Sequence, residues 1–224
     1  MRFIIIFLLF ISVIPGEIHA QENDPLNANE EINSIYKLDL FRVAQGTMQL
    51  SREAGLKNNW TYNIGLMGTY ASTRGLARPY LRAQEFSYTD ANNFVYYLDN
   101  VEAIGYGLNL QFRKYLGNSA ERFKGYYYGP ELFFRQLSLS SLVYDYTTKE
   151  EKEISRNLYL GYAGYMVGYQ KIIRQVISLD LYFGGGFFYS QYDDSPSHNR
   201  FRRSYQVDYT GFYLNTGILI GVVN

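Results

Sequence analysis

The 224-residue sequence predicts an all-β chain that closes into an eight-stranded antiparallel up-and-down barrel spanning a membrane. Polar and apolar residues alternate over segments of ten or more residues. Strands of soluble proteins peak at about 5–6 residues, whereas a tilted membrane strand needs about 9–11. The chain has 24 Tyr and 15 Phe against one Trp, and aromatic residues near strand ends are typical of the two girdles of membrane barrels. The residues expected in these girdles are Tyr36, Trp60, Tyr70, Tyr115, Tyr126, Tyr169, Tyr189 and Phe212.

A secreted Tyr-rich β-sandwich is the alternative, because its oily faces would form a core. Residues 103–116, AIGYGLNLQFRKYL, place Ile104 and Phe112 on one face and Asn109 and Arg113 on the other. Glycines are interleaved on the polar face, and glycine weakens a strand that meets solvent. Inside a narrow barrel, glycine makes room for large side chains. We therefore expect the oily face to meet lipid and the polar face to line the lumen.

Charge and cysteine content exclude several classes of function. The formal net charge is zero, so the chain lacks the basic excess of most nucleic-acid binders. It has no cysteine, which excludes disulfides, thiolate metal sites, cysteine nucleophiles and a lipidated N-terminal cysteine. We predict no cofactor, no metal site and no nucleic-acid partner.

The N-terminal residues 1–20 are predicted to be a cleaved signal peptide. A short basic start, MRF, precedes an apolar run of eleven residues, and Pro15-Gly16 breaks that run before Ala20. The run is shorter than the roughly 20 apolar residues of a spanning helix, so a membrane anchor is the weaker reading. Residues 21–33 are polar and acidic and are predicted to be a flexible periplasmic leader, and 34–224 the outer-membrane barrel.

Six alternating segments are clear from Trp60 onward. A barrel with both ends in the periplasm needs an even number of strands, so the stretch before Trp60 must supply two. We split it near Val43 to Gln45 into Ile35–Arg42 and Gly46–Gly55; one long, bent strand is the alternative. The later segments are residues 60–70, 103–116, 124–137, 157–169, 175–189 and 206–222.

The connections between these segments alternate in length. Residues 71–101, 139–156 and 190–205 are long and polar, and 56–59, 116–123 and 170–174 are short. Long and short connections fall at opposite ends of the strand set. This asymmetry is typical of outer-membrane barrels, which have short periplasmic turns and long outer loops.

Charged residues on the polar faces predict a charge network in the lumen. Unpaired buried charges are costly, so we expect Glu53 and Glu131 to pair with Arg113 and Arg135, with Asp180 in the same network. Eight strands leave an interior filled by side chains, which favours a salt-bridge plug. A narrow pore for small solutes is the alternative. The residues expected inside are Lys37, Asp39, Glu53, Arg113, Glu131, Arg135 and Asp180.

A lipid-modifying enzyme of the outer membrane is a second alternative. Such an enzyme needs a nucleophile and a base, often serine with histidine. His198 lies near Ser195 and Ser197 in DDSPSHNR, but Pro196 and the polar residues around it indicate a surface turn. We predict no catalytic residue and no enzymatic activity.

The segment GTMQLSREAGLKNNWTYNIGLMGTY, residues 46–70, resembles the small OmpA-like outer-membrane barrels, in particular an uncharacterised branch common in the Bacteroides group. The Leu50-Ser51-Xaa-Glu53 element and the Gly and Tyr spacing after Trp60 carry the resemblance, which covers about residues 34–224. Many such proteins end in an aromatic residue read by the assembly machinery, whereas this chain ends Val222-Val223-Asn224. Either Phe212 and its strand take that role or the insertion signal is weaker.

The resemblance implies a structural or surface-interaction role in the bacterial outer membrane. The partners it implies are outer-membrane lipid and lipopolysaccharide, the barrel-assembly machinery during insertion, and a surface partner bound through the outer loops. Arg74, Arg78 and Arg82 in the first long connection are candidate contacts for anionic lipopolysaccharide. A solvated loop surface is the simpler reading of these arginines.

Overall fold

Eight antiparallel strands close into one barrel in the computed structural model of the chain, which describes residues 32–81, 87–89, 95–97, 101–117, 122–145, 150–193 and 206–224. Each wall strand pairs with its neighbours along the chain, and the first pairs with the last. The predicted all-β, eight-stranded, up-and-down architecture is therefore confirmed. The wall strands are β1 (Ser34–Asp39), β2 (Thr47–Gly55), β3 (Trp60–Ser72), β6 (Val101–Tyr115), β7 (Gly125–Asp145), β8 (Glu150–Ile173), β9 (Ile177–Tyr192) and β10 (Gly211–Val223), with a separate hairpin of β4 (Ser87–Thr89) and β5 (Val95–Tyr97).

Two short helices interrupt the strands: α1 (Leu40–Val43) and α2 (Arg78–Leu81). The stretch before Trp60 does supply two strands, as predicted, but β1 ends at Asp39 and does not reach Arg42. Asp39 ends the strand because its Oδ1 accepts the backbone N–H groups of Phe41 at 2.9 Å and Arg42 at 3.2 Å. Aspartate is among the preferred N-cap residues, so a helical turn replaces the last part of the predicted strand.

Helix α1 occupies part of the barrel wall. β10 pairs with β1 only over Leu219–Val223, and α1 also packs against β10. The Leu40, Phe41 and Val43 side chains are 40–46% exposed, whereas Arg42 is buried. The helical turn therefore has the same arrangement as the strands, with its apolar side chains on the outer face and its charged side chain on the inner face.

The short turns use residues with positive φ. Asn58 and Asn59 both have φ of 59°, and the Trp60 N–H donates to the Lys57 carbonyl, as in a type I′ turn. Arg174 and Gln175 adopt the same conformation between β8 and β9. The predicted connection 170–174 was placed too early, because β8 continues to Ile173 and Gln170 is a buried strand residue.

The hairpin of β7 and β8 extends further than predicted. Residues 139–156 were expected to be a long connection, but β7 runs to Asp145 and β8 begins at Glu150. Leu139 and Leu158 are fully buried on the inner face, which explains why the strands continue. On the other face, the Ser138 and Ser155 hydroxyls lie 3.3 Å apart. Much of the predicted connection 139–156 is therefore barrel wall, and the Ser138 and Ser155 hydroxyls lie on its outer face.

The inward and outward faces follow the predicted alternation. On β6, Ile104 and Phe112 are 55% and 46% exposed, while Asn109 and Arg113 are fully buried. All seven charged residues expected inside are buried as well. Tyr115 is the correction among the predicted girdle residues, because it is 2% exposed and points into the barrel.

Two glycines on the inner face make room for tyrosine rings. A Cβ atom at Gly168 would lie 2.4 Å from the Tyr127 ring, and one at Gly217 would lie 2.0 Å from the Tyr182 ring. Both distances are far below van der Waals contact. The prediction that inward glycines create space is therefore met at these positions by specific aromatic neighbours.

We expect Gly168→Ala to lower the free energy of unfolding by about 1–3 kcal/mol, because the added methyl group displaces the buried Tyr127 ring. Gly161→Ala is the matched control on the same strand, since a Cβ there meets nothing within 4 Å. Urea unfolding in phospholipid vesicles measures both variants. Equal losses in the two variants would contradict the packing role of Gly168.

Several sequence predictions lie outside the described residues: the signal peptide 1–20, most of the leader 21–33, Arg82, and the Ser195, Ser197 and His198 group. The described residues all belong to the unit Ile32–Asn224. Within them, no helix has the length and apolar character needed to cross a membrane.

Candidate functional site: the barrel interior

The chemistry of the described residues is concentrated in the lumen. We define the basal ion cluster as Lys37, Glu53, Arg113 and Asp180, near the end of the barrel with the short turns. Lys37 Nζ contacts Glu53 Oε2 and lies 2.7 Å from Asp180 Oδ2. Arg113 Nη1 lies 2.6 Å from Asp180 Oδ2 and 3.1 Å from Glu53 Oε2. Two cations and two carboxylates, all with fully buried side chains, form a neutral group.

Hydroxyl groups donate hydrogen bonds to the remaining oxygen atoms of the two carboxylates. Glu53 Oε1 accepts from the Thr61 hydroxyl at 2.6 Å and from the Tyr115 hydroxyl at 2.8 Å. Asp180 Oδ1 accepts from the Tyr127 hydroxyl at 2.6 Å. All four carboxylate oxygens therefore have partners, which is the condition under which buried charges are tolerated.

The short-turn end of the lumen is covered by Phe123. Gln170 accepts from Lys37 at 2.5 Å and donates its Nε2 to the Phe123 carbonyl at 2.9 Å. Phe123 is fully buried, and its ring reaches from the β6–β7 connection to within 3.5 Å of the Cβ position of Gly55 on β2. The ring therefore crosses the mouth below the basal ion cluster. With these partners, the cluster joins β1, β2, β3, β6, β7, β8 and β9.

Glu131 occupies a separate position nearer the middle of the barrel. Its carboxylate accepts from Asn109 Nδ2 at 2.8 Å, Gln111 Nε2 at 3.0 Å and Asn215 Nδ2 at 2.6 Å. Among the described residues, Arg42 forms its ion pair, with Arg42 Nη2 3.9 Å from Glu131 Oε1. Hydrogen bonds from three side-chain amides therefore stabilise the Glu131 charge.

Arg42 enters the lumen from helix α1. Its Nε lies 3.6 Å from Asp39 Oδ2, and its guanidinium is 4.9 Å from the centroid of the Phe133 ring. The sequence did not identify Arg42 as an interior residue, because the strand period would place it opposite Lys37 and Asp39. The helical turn changes the period and brings its side chain inward.

Arg135 has neutral partners. Its Nη1 donates to Thr47 Oγ1 at 2.9 Å, its Nη2 donates to the Tyr80 hydroxyl, and its guanidinium lies 5.4 Å from the Tyr80 ring centroid. The expected pairing with Glu131 is not present, and no carboxylate in the described part of the chain forms an ion pair with Arg135. The two residues are four apart on one strand, so their Cα atoms are separated by roughly 13 Å.

The structure thus divides the predicted network. Glu53, Arg113 and Asp180 are brought together, with Lys37 as a fourth member. Glu131 and Arg135 lie inside the barrel but outside that cluster. The interior contains separate polar groups at successive heights along the barrel.

An apolar plug fills the end of the lumen with the long connections. Tyr80 of α2 and Val207 meet there, because the Val207 N–H donates to the Tyr80 carbonyl at 3.0 Å. Residues 206–210, which precede β10, are all buried. The plug comprises Met67, Ala71, Ala77, Leu81, Val101, Ala103, Phe133, Leu137, Leu139, Leu158, Leu160, Tyr162, Phe188, Tyr192, Val207 and Tyr209.

The arrangement in the lumen braces and fills the barrel. The charges of the basal ion cluster pair with one another, and three amides donate to Glu131. The outer end holds the apolar plug beside the buried Gln206, Asp208 and Thr210. No family model, no curated protein and no solved structure matches this chain. The function is therefore inferred from the geometry of the chain itself.

Proposed function

We propose that the chain is an integral β-barrel protein of a bacterial outer membrane with a closed lumen and a structural or surface-interaction role. The proposal includes the resemblance to small OmpA-like barrels and the partners it implies: lipid, lipopolysaccharide, the assembly machinery and a surface partner at the long connections. One observation carries it. The outer surface is apolar around the barrel, while the inner surface holds the charges.

The apolar belt is present on successive strands. Leu66 on β3, Leu132 on β7 and Phe183 on β9 are 48–52% exposed. Monomeric soluble proteins rarely expose contiguous apolar patches larger than a few hundred Å². A belt that continues around a barrel matches a lipid-facing surface. Further members are Ile64, Ile104, Leu108, Phe112, Phe134, Tyr165, Val167, Leu179, Leu181, Phe187, Leu214, Ile218 and Ile220.

The height of the belt fits a bilayer. On β8, the outward positions from Tyr159 to Tyr169 cover the roughly 9–11 residues that a tilted strand needs. On β7, outward positions change from apolar to polar at Gln136, whose Oε1 accepts from the Tyr106 hydroxyl at 2.8 Å. Tyrosines whose hydroxyl group meets water while the ring lies in an apolar environment are typical of a membrane interface.

Two features support a lumen that does not conduct. The basal ion cluster and Phe123 fill the short-turn end, and the apolar plug fills the other end. A narrow pore would need a continuous polar path through both. We therefore favour a closed lumen over a narrow pore.

Insertion is tested with two measurements on the full chain refolded into phospholipid vesicles. A folded barrel is expected to migrate differently on a gel before and after boiling. Trp60 is the single tryptophan and lies half-buried at the start of β3, so lipids brominated near the headgroup should quench its fluorescence more than lipids brominated deep in the chains. A soluble protein, with no mobility shift and no quenching, would overturn the proposal.

Conductance tests the closed lumen separately. In planar bilayers we expect no discrete channel openings, because side chains occupy the lumen at several heights. Heat-modifiable protein added to the same bilayers controls for folding. Reproducible single-channel openings would replace the closed lumen with the pore while leaving the membrane barrel intact.

A further inference from the structure

The short-turn end of the barrel has a basic exterior. Lys57, Lys124, Lys171 and Arg174 are exposed there. Among the described residues of the three short connections and the adjoining strand ends, no acidic side chain is exposed. The one acidic residue in the sequence of these connections, Glu121, lies outside the described residues. The exposed charges on the described residues of these three connections are therefore positive, which favours an anionic partner beside them.

Two of these basic residues adjoin the same end of the β7–β8 ladder. β7 and β8 pair Tyr126 with Tyr169 and Gly125 with Gln170, and the exposed Lys124 and Lys171 adjoin this last pair along the chain. Just inside them, the Tyr126 and Tyr169 rings lie 4.9 Å apart. Neither lysine forms an ion pair with a described residue. Two exposed cations thus adjoin the short-turn end of the β7–β8 ladder, at the lower edge of the apolar belt.

An apolar groove begins at this tyrosine pair and continues into the belt. Its volume is about 720 Å³. Gly168 and Gly217 lie in its lining, where their inward positions leave only backbone between the groove and the Tyr127 and Tyr182 rings. The outward side chains that line it include Leu116, Tyr126, Val167, Tyr169, Leu181 and Phe183.

We propose that the lysine pair and this groove form a binding site for one anionic glycerophospholipid. The lipid phosphate lies between Lys124 and Lys171, and one acyl chain lies in the groove above the tyrosine pair. The site rests on the proposed insertion in a membrane, because the groove must meet acyl chains. Lipopolysaccharide does not fit, since the site is at the opposite end from the long connections, which face outward in the proposed orientation.

Charge complementarity selects the headgroup. A basic side chain is attracted to an anionic membrane surface. A zwitterionic headgroup has no net charge, so its attraction for the same side chain is much weaker. Phosphatidylglycerol carries a net negative charge, whereas phosphatidylcholine carries none. The site should therefore distinguish these two lipids even when their acyl chains are identical.

Native mass spectrometry of the full chain in detergent micelles tests the site with phosphatidylglycerol and phosphatidylcholine of identical chains. We expect one phosphatidylglycerol to bind preferentially. The double variant Lys124→Gln/Lys171→Gln should bind it about 30-fold more weakly, the product of roughly 5.4-fold for each basic side chain. Val167→Phe, which fills the groove and keeps both lysines, should also weaken retention.

The matched control is Arg52→Gln/Lys57→Gln, which removes two charges from the same end of the barrel on the opposite wall, at β2 and its turn. We expect it to retain phosphatidylglycerol as the unchanged chain does. Equal retention of both lipids, or equal losses in the two double variants, would overturn the site and indicate a diffuse basic surface. The Trp60 and gel measurements report insertion independently, so failure of the site and failure of insertion are distinguishable.

Discussion

Replacing Arg113 by methionine should lower the free energy of unfolding by about 3–5 kcal/mol, the range for breaking a buried ion pair by removing one partner. Arg113 donates to Asp180 at 2.6 Å and to Glu53 at 3.1 Å, and its side chain is fully buried. Without it, two carboxylates share Lys37 alone. The basal ion cluster then carries a net negative charge that water cannot solvate.

A matched exterior variant separates charge pairing from the loss of an arginine. Arg52 lies on the exposed face of β2, 5.9 Å from the Tyr36 ring centroid. Arg52→Met makes the same chemical change outside the lumen, and we expect an effect within about 0.5 kcal/mol. Both variants are measured by urea unfolding in phospholipid vesicles, with the boiled and unboiled gel as the check on folding.

A double-mutant cycle isolates the electrostatic part. Asp180→Asn removes a negative charge with little change of shape and leaves the cluster with an excess cation. The double variant with Arg113→Met removes one charge of each sign and leaves Lys37 with Glu53. Its loss of stability should be about 1–3 kcal/mol smaller than the sum of the single losses. Strict additivity would show that the two residues contribute independently.

The cluster also links distant parts of the chain. Lys37 and Asp180 are 143 residues apart in sequence, and Arg113 and Asp180 are 67 apart. These contacts form only when β1 and β9 have reached the same barrel. Loss of the cluster should therefore destabilise the closed barrel as a whole, because β1 connects β2 to β10 at the point of closure.

The period of two in the sequence was sufficient to predict the faces of the strands. A strand places alternate side chains on opposite sides, so once Asn109 was assigned inward, Arg113 followed. The same rule placed Glu53, Glu131 and Asp180 inside. The sequence also supplied eight strands, because the stretch before Trp60 was long enough for two.

Contacts across the lumen could not be predicted in the same way. Which inward residues share a height depends on strand stagger, and stagger accumulates over the registers of all the strand pairs around the barrel. Glu53 and Arg113 meet because β2 pairs with β3 and β3 with β6 in one particular register. Glu131 and Arg135 were expected in one network, although their spacing along β7 already separates them.

Tyrosine lies on both faces of this barrel, so the residue type alone does not predict the face. Tyr115 and Tyr126 both lie near the short-turn end, but Tyr126 is 66% exposed and Tyr115 is 2% exposed. Position near a strand end suggested a girdle for both, whereas the parity of Tyr115 with Arg113 indicated the lumen. The alternation of faces along the strand predicted the position of Tyr115 correctly, because it follows from backbone geometry. Enrichment of aromatic residues in girdles is only a statistical preference.

Replacing Leu132 by arginine should lower the free energy of unfolding by about 2–4 kcal/mol in phospholipid vesicles, the range for a lipid-facing charge at the bilayer midplane. Leu132 is 48% exposed and pairs with Leu110 and Ala163, midway between Tyr126 and Gln136 along β7. An arginine there must lie in hydrocarbon or draw water into it, and both are costly.

Two control variants place the same arginine at other depths relative to the bilayer. Leu116→Arg makes the same change at the short-turn end, where the side chain is 62% exposed. An interfacial charge costs about 0–1 kcal/mol, because the guanidinium reaches the headgroups. Leu76→Arg changes a residue that is 86% exposed in the connection after β3, and no loss is expected there. The loss should therefore be concentrated at Leu132, the position nearest the middle of the apolar belt, and it should exceed the roughly 0.5 kcal/mol expected of a solvent-exposed position.

This concentration of the loss at Leu132 distinguishes a membrane barrel from a soluble one. If water surrounded the belt, Leu132→Arg would place a charge at an exposed position, and the change would stay within about 0.5 kcal/mol. Solvent exposure alone would then make the three variants equivalent. A loss confined to Leu132→Arg requires a medium that excludes charge at that height, and the apolar belt of this chain has the arrangement such a medium would select.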